Sequence, residues 1–550
     1  MGDLNLESHD TEVEESTASS FVLLFAAPLM GAAAGGMGWG IRGQYGHEWG
    51  AMVPGVLVAF TLVFLFCRQS TSLHAARAVS LTALAFSFGG TMTYGQTVGL
   101  THDTPLVGNH DAYRWGMIGL FIKGGLWVGF GGAFLGIGLG GKKYQWKEIL
   151  GLYAALVVFA FIGIQLLNRP YVPEVDSPDR VLPWIYFSDH WKWEPDKLDM
   201  KPRRECWAGL LAALAALVAY VGYIKKDELA RNMAFVGVLA GGLGFTLGQG
   251  LQAKHSWTPG WLTRFDLSLH GSLPGIFPEK FFSLMGWNWW NMMETTFGSV
   301  LGFGLGLGLW FNRKLVARGD RDSSVEIPLK AEWILIVVYA FLVYLWGVKR
   351  YKGIDTVANF PLAMGLLPVV CVLGGRYWPY MLSLPLIALP IAGITLKITD
   401  KIHLYTDSFT FFVLPLGLMT LAAFYFEKLG RRGLSGRIFA RQGLILSALV
   451  YYSLNFVFFG FPWATLPMVG RHTNNWIFLR CTELLIFGAL VLGRRDSPLE
   501  IEESTAAMLA QDSARLLIGA LYSGNLCRSS TFRGVILSCM VCGSVELQGV

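Results

Sequence analysis

GGMGWGIRGQYGHEWGAMVPG, Gly35 to Gly55, is the stretch on which the fold class turns. It contains Gly38-x-Gly40-x-x-Gly43, formally a dinucleotide-binding fingerprint that would make the chain an α/β protein. That fingerprint works only between a strand and a crossover helix, where the pyrophosphate meets free backbone N–H groups. Here it closes an apolar run that begins near Phe21, and the residues near Phe60, where a ribose-binding acid belongs, are apolar. A second glycine pattern, Gly136-x-x-x-x-Gly141-Lys142, imitates a P-loop but continues with Lys143 in place of the Ser or Thr that holds the metal. Both nucleotide readings fail, so the knot is a glycine-rich, charged end to a membrane-seeking segment.

Composition extends that reading to the whole chain. Of 550 residues, 53% are hydrophobic and 15% charged, and the mean hydropathy is +0.45. A soluble domain does not tolerate such a surface. Apolar runs of about 20 residues, the length that spans a bilayer, start near Phe21, Ala51, Arg77, Trp115, Lys147, Glu205, Ala230, Trp287, Ala331, Val357, Trp378, Ser408, Ile438 and Trp476. The expected fold class is an all-α polytopic membrane protein with about fourteen transmembrane helices. Residues 1–20 read as an acidic, solvated tail, 21–494 as the bundle and 495–550 as a cytoplasmic tail to which composition assigns no role.

Short basic loops follow the even-numbered spans: Lys142, Lys143 and Lys147, then Lys225, Lys226 and Arg231, then Arg313, Lys314, Arg318 and Arg321, then Arg431, Arg432 and Arg437, and last Arg494 and Arg495. The positive-inside rule makes these loops and both termini cytoplasmic, in a plasma or bacterial inner membrane. The long loops Asn168 to Arg204 and Gln252 to Gly286 then face outward. The seven cysteines give no disulfide framework, and Cys539-x-x-Cys542 is a lone pair without a partner pair for zinc.

A repeat predicts where the polar chemistry sits. The third span carries Gly89, Thr93 and Gln96, then His102 and Thr104-Pro105; the seventh carries Gly242, Thr246 and Gln249 at the same spacing, then His255 and Thr258-Pro259. The spacing i, i+4, i+7 puts Gly, Thr and Gln on one helix stripe. Trp115-Gly-Met117 matches Trp290-Asn-Met292 in the next span. Four spans separate the copies, so they read as a parallel four-helix repeat, spans 2–5 (about 51–167) and 6–9 (about 205–347), with the remaining spans in 357–493. The two glutamines should face one shared cavity.

Charges inside spans point to the same level. Lys123 stands eight residues after Trp115, Glu294 seven after Trp287, and Glu483 seven after Trp476 with Arg480 one turn away. If the Trp residues mark the outer interface, these charges lie roughly 10–12 Å below it. A lone charge at the bilayer centre costs on the order of 3 kcal/mol, so opposite signs at one depth predict pairing, Lys123 with Glu294 first, or a wet cavity. The structural alternatives are an Arg480–Glu483 pair at i,i+3 and a Lys123 that snorkels outward.

The candidate substrate-binding residues are therefore Arg42, Gln44, His47, Glu48, Gln96, His102, Lys123, Gln249, His255, Glu294, Arg480 and Glu483. Arg42 is the expected anion binder, unless it merely pairs with Glu48, and the glycines should break the first span between Gly38 and Gly43. Gly132, Gly136 and Gly140, like Gly298, Gly302 and Gly306, read as close-packing stripes.

Neither His-Glu-x-x-His nor Gly-x-Ser-x-Gly occurs, so no metal and no serine nucleophile is expected, and no cofactor is identified. The loop from Asn168 to Arg204 mixes Trp184, Tyr186, Trp191 and Trp193 with Asp189 and His190, which suits a glycan or an interfacial belt. The leading expectation is a transporter or permease for a small polar or anionic solute. The alternative is a membrane-embedded transferase acting on a glycan- or lipid-linked substrate, with His102 or His255 as base. Membrane lipid and a small-molecule or glycan substrate are the expected partners. Nucleic acid is not, and no oligomeric state follows.

Overall fold

The computed structural model describes residues 6–493 apart from 68–69, 177–178, 197–200, 277–278, 318–325, 348–369, 371, 377–408, 410–434 and 460–468. It contains thirteen α-helices among the described residues. They are α1 (Leu6–Arg42), α2 (Glu48–Phe66), α3 (Ser72–Gly89), α4 (Gly95–His102), α5 (His110–Leu139), α6 (Trp146–Leu167), α7 (Trp207–Ala219, prolonged by a π turn Tyr220–Ile224), α8 (Glu228–Trp257), α9 (Trp261–Ser272), α10 (Trp289–Phe311), α11 (Leu329–Gly347), α12 (Gly436–Phe459) and α13 (Arg471–Gly493). Side-chain caps set several starts: Thr71 accepts from His74 N, Asn109 from Ala112 N, Asp227 from Ala230 N and Asn288 from Asn291 N. Gln145 and Glu148 form a reciprocal capping box on α6.

Seven helical stretches are long and apolar enough to cross a membrane: Ser20–Arg42, Glu48–Phe66, His110–Leu139, Trp146–Leu167, Trp207–Ile224, Glu228–Trp257 and Thr473–Gly493. A mostly helical chain with these segments is consistent with a multi-pass membrane protein. Helices α3, α10, α11 and α12 stand at four further expected starts but outside that set of seven. The spans expected near Val357, Trp378 and Ser408 lie outside the described residues, as does the tail from residue 494. The acidic stretch is helical from Leu6 and runs into α1, not a loose tail before it.

Glycine stripes decide which helices touch. Ala27, Gly31 and Gly35 of α1 meet Gly306, Gly302 and Gly298 of α10 backbone to backbone, and Gly124, Gly132 and Gly136 of α5 meet Gly241, Met233 and Ala230 of α8. With lipid as apolar as leucine, this van der Waals approach, not hydrophobicity, holds helices together. The contacts also fix relative direction. α1, α3, α8 and α12 run one way and α2, α5, α10 and α13 the other.

Two helix ends are irregular. The first, after α1, lies at the far end of the expected Gly38–Gly43 interval and is a reversal into antiparallel α2, not an interruption within one span. Gly38 and Gly40 remain helical because a methyl on Gly38 would stand 2.6 Å from Pro54 Cα and one on Gly40 would strike Phe478, so close packing offsets their poor propensity. The chain turns instead through the 3-10 segment Gly43–Tyr45 and Gly46, whose φ of +87° and ψ of −173° lie in a region essentially reserved for glycine. Gly46→Ala should therefore cost about 1–3 kcal/mol by strain alone, since open space surrounds the position. A melting midpoint in detergent unchanged from wild type would sink that assignment.

The second, the break Gly90–Tyr94, separates α3 from α4. It corrects the expected stripe, because Gly89 ends α3 while Gln96 belongs to α4. The matching residues Gly242, Thr246 and Gln249 do lie on one uninterrupted helix, α8. The difference is tertiary. The Lys123 ammonium donates to Thr93 O at 2.8 Å and satisfies the carbonyl that the broken helix leaves, whereas Thr246 donates back to Gly242 O within its own helix. A shared pattern thus gives two backbones, and the parallel repeat is not established.

Candidate functional site at two helix breaks

The α1–α2 turn and the α3–α4 break touch. A methyl on Gly90 would stand 2.6 Å from His47 O, so the turn after α1 is seated directly on the turn after α3. Between them and α10 lies a cavity of about 270 Å³ whose wall includes Arg42, His47, Tyr94, Arg203, Trp290 and Glu294. A second cavity of about 330 Å³ shares Gly43, Trp290 and Glu294 and adds Asn288, Asn291 and Arg471.

Arg42 closes α1 and is 1% exposed. Its guanidinium donates to Tyr94 OH and to Gly46 O at 3.3 Å, and stands 3.7 Å from Glu294 Oε1. Trp39, Trp127 and Tyr94 present ring centroids 4.8, 5.1 and 5.2 Å from its Cζ. Each such cation–π contact contributes roughly 1–2 kcal/mol once desolvated. One donor, Nε, is buried without a hydrogen-bond partner. Glu294, also 1% exposed, accepts from Tyr94 OH at 3.4 Å and from Asn291 Nδ2 at 3.2 Å. Gly43 leaves room for that carboxylate, since a methyl there would stand 2.8 Å from both oxygens.

The packing behind Arg42 is aromatic. Trp39 packs edge-on to Trp127 at 4.8 Å and to Phe297 at 4.4 Å, and Phe297 stacks on Phe245 at 4.6 Å. Burial first, and then the charges of Arg42, Arg203 and Lys123, push the His47 imidazole down to about 3, so His47 is uncharged in the neutral range. Arg42 and Glu294 cancel formally, and the exposed Arg203 leaves the mouth positive.

Several pairings differ from expectation. Glu294 faces Arg42, not Lys123, and Arg42 faces Glu294, not Glu48. Lys123 is fully buried and pairs with Glu205 at 2.6 Å, with Thr97 and Ser188 hydroxyls at 3.0 and 3.4 Å. It is a clamp between α5, the α3–α4 break and the long loop. Trp depth gives a charge its height but not its neighbour, which explains the wrong partner. Gln96 donates to Lys201 O at 2.7 Å and Gln249 to Thr101 Oγ1 at 2.6 Å, so the two occupy different interfaces, and neither lines the two cavities described.

His102 binds Val98 O, and His255 stacks on Trp289 at 4.3 Å; neither lines the two cavities. Arg480 and Glu483 pair with each other at 2.7 Å on a half-exposed face, the structural alternative of the sequence reading. Gln44 lies in the 3-10 turn and Glu48 opens α2, half-buried. Of the expected set, Arg42, His47 and Glu294 come together. Tyr94, Arg203 and Trp290 were missed, although Tyr94 stands two residues before Gln96 within the quoted repeat.

Comparison with protein-family models, curated proteins and solved structures finds no match for this chain.

Proposed function

We propose that this chain is a membrane permease for a small anionic solute, bound by Arg42 where the α1–α2 turn meets the α3–α4 break. The observation that carries the reading is the meeting of that turn and that break around a buried, incompletely partnered guanidinium. An interrupted helix exposes backbone polar groups to a cavity without exposing them to lipid, and secondary transporters place their substrates at such interruptions. Arg42 supplies the permanent charge and the fork, Arg203 draws the anion to the mouth, and Tyr94 and neutral His47 offer hydrogen bonds. Glu294 holds Arg42 in place between solutes.

One observation favours the second reading, a membrane-embedded transferase: Trp39 and Trp127, packed with Phe297, back the Arg42 guanidinium with an apolar aromatic layer. Purified protein in liposomes separates the two. A permease exchanges an intact radiolabelled carboxylate or phosphate ester across the bilayer, whereas a transferase releases a chemically altered product without exchange. Arg42→Lys, which keeps the charge beside Glu294 but loses the fork, should weaken solute binding by about 10–100-fold, the worth of one charged hydrogen bond. Its melting midpoint should stay near wild type. Full uptake at normal abundance in that variant removes Arg42 from the site.

A further inference from the structure

Away from the arginine site, the end of α4 and the long loop bring three nitrogen and oxygen donors together. Asp103, which follows α4, places Oδ2 3.7 Å from His190 Nε2 and Oδ1 3.8 Å from His102 Nε2. The donor atoms of Asp103, His190 and Glu194 all lie within 4.8 Å of one another. His190 and Glu194 share one side of a helical turn closed by Glu194 N to His190 O, so the i,i+4 spacing aims both the same way. His190 is 1% exposed.

We infer that Asp103, His190 and Glu194 form a zinc site, its fourth position open to water, that fastens the loop to α4. Space favours an ion over a plain ion-pair cluster. Gly99 keeps the centre open, because a methyl there would stand 2.6 Å from Asp103 Oδ2 and 2.9 Å from His190 Nε2.

Donors about 2.0–2.2 Å from a tetrahedral ion stand roughly 3.4 Å apart, so the Asp103–His190 edge at 3.7 Å needs little change and the edges to Glu194, within 4.8 Å, must close. One imidazole and two carboxylates without a thiolate, completed by water, suit Zn2+, with Co2+ as a spectroscopic stand-in. The sequence concealed the site because its ligands come from two segments, Asp103 and His190-x-x-x-Glu194, so no single spacing announces it. The bound ion would order the loop that delivers Arg203 to the cavity mouth and Glu205 to Lys123.

Full-length protein in detergent, stripped with a chelator and dialysed, is titrated with Co2+ and then Zn2+. One equivalent of Co2+ should give a tetrahedral d–d absorption band that Zn2+ bleaches, and metal analysis should return one zinc per chain. Asp103→Asn and Glu194→Gln, close in shape to the native residues, should each weaken binding by at least about 10–100-fold. His190→Ala should abolish it, and His255→Ala should leave it unchanged. Zinc should also slow proteolysis of the loop at residues 168–206 in wild type but not in Glu194→Gln. Absence of a Co2+ band at micromolar metal, or equal binding by wild type, Asp103→Asn and Glu194→Gln, overturns the proposal. If His190→Ala misfolds, the two near-isosteric variants still decide.

Discussion

Lys123→Met is expected to lower the unfolding free energy by about 3–5 kcal/mol, the cost of leaving a buried anion without its partner. Lys123 is fully buried and Glu205 is 1% exposed, and the ammonium also satisfies Thr93 O where α3 and α4 separate. Glu205 in turn accepts from Phe187 N at 2.8 Å, so its charge organises the loop that lies over the break. The loss should therefore exceed that of a pair alone. Adding Glu205→Gln to Lys123→Met should recover a good part of it, because no charge then remains buried. Recovery stays incomplete while Thr93 O lacks a donor. Melting midpoints of the single and double variants in one detergent test this. A loss in the single variant below about 1 kcal/mol would mean that the ammonium reaches water after all, the snorkelling alternative.

Gly302→Val carries the second large effect. A Cβ on Gly302 would collide with Gly31 O, and the same stripe meets Gly35 and Ala27 above and below. No rotamer relieves a clash between a β-carbon and a backbone carbonyl, so the helices must move apart. Overpacking of this kind costs about 1–3 kcal/mol, more where two close-packed backbones separate. The effect should reach function, since α1 ends in Arg42 and α10 carries Glu294, and spreading them lengthens a contact already at 3.7 Å. Gly151→Ala provides the contrast. That glycine sits exposed in α6 with nothing near it, so alanine should stabilise by up to about 1 kcal/mol through helix propensity. Equal behaviour of the two variants in thermal melts would contradict the packing assigned to the α1–α10 seam.

Local properties were legible without any structure. Bilayer-length apolar runs, the failure of both nucleotide motifs and the four-residue glycine stripes follow from neighbours along the chain, and the described helices agree with them. Arg42, His47 and Glu294 were legible as polar groups at one level, because a charge in an apolar run needs a reason to be there.

Which charge meets which was not legible. Sequence spacing gives a residue its height and the face of its own helix, whereas the partner depends on which faces of other helices the packing turns towards it. Glu294 and Glu205 both offer a carboxylate to the bundle, and only the backbone-to-backbone seam of α1 with α10 hands the first to Arg42, while the loop leading into α7 hands the second to Lys123. The break positions were decided the same way. Glycine content sets the cost of a helix at Gly38, Gly43 or Gly89, but the chain opens where a tertiary group takes up the freed polar atoms or a positive φ is needed. That happens at Gly46 and beside Lys123, and Gly38 stays helical because Pro54 packs against it.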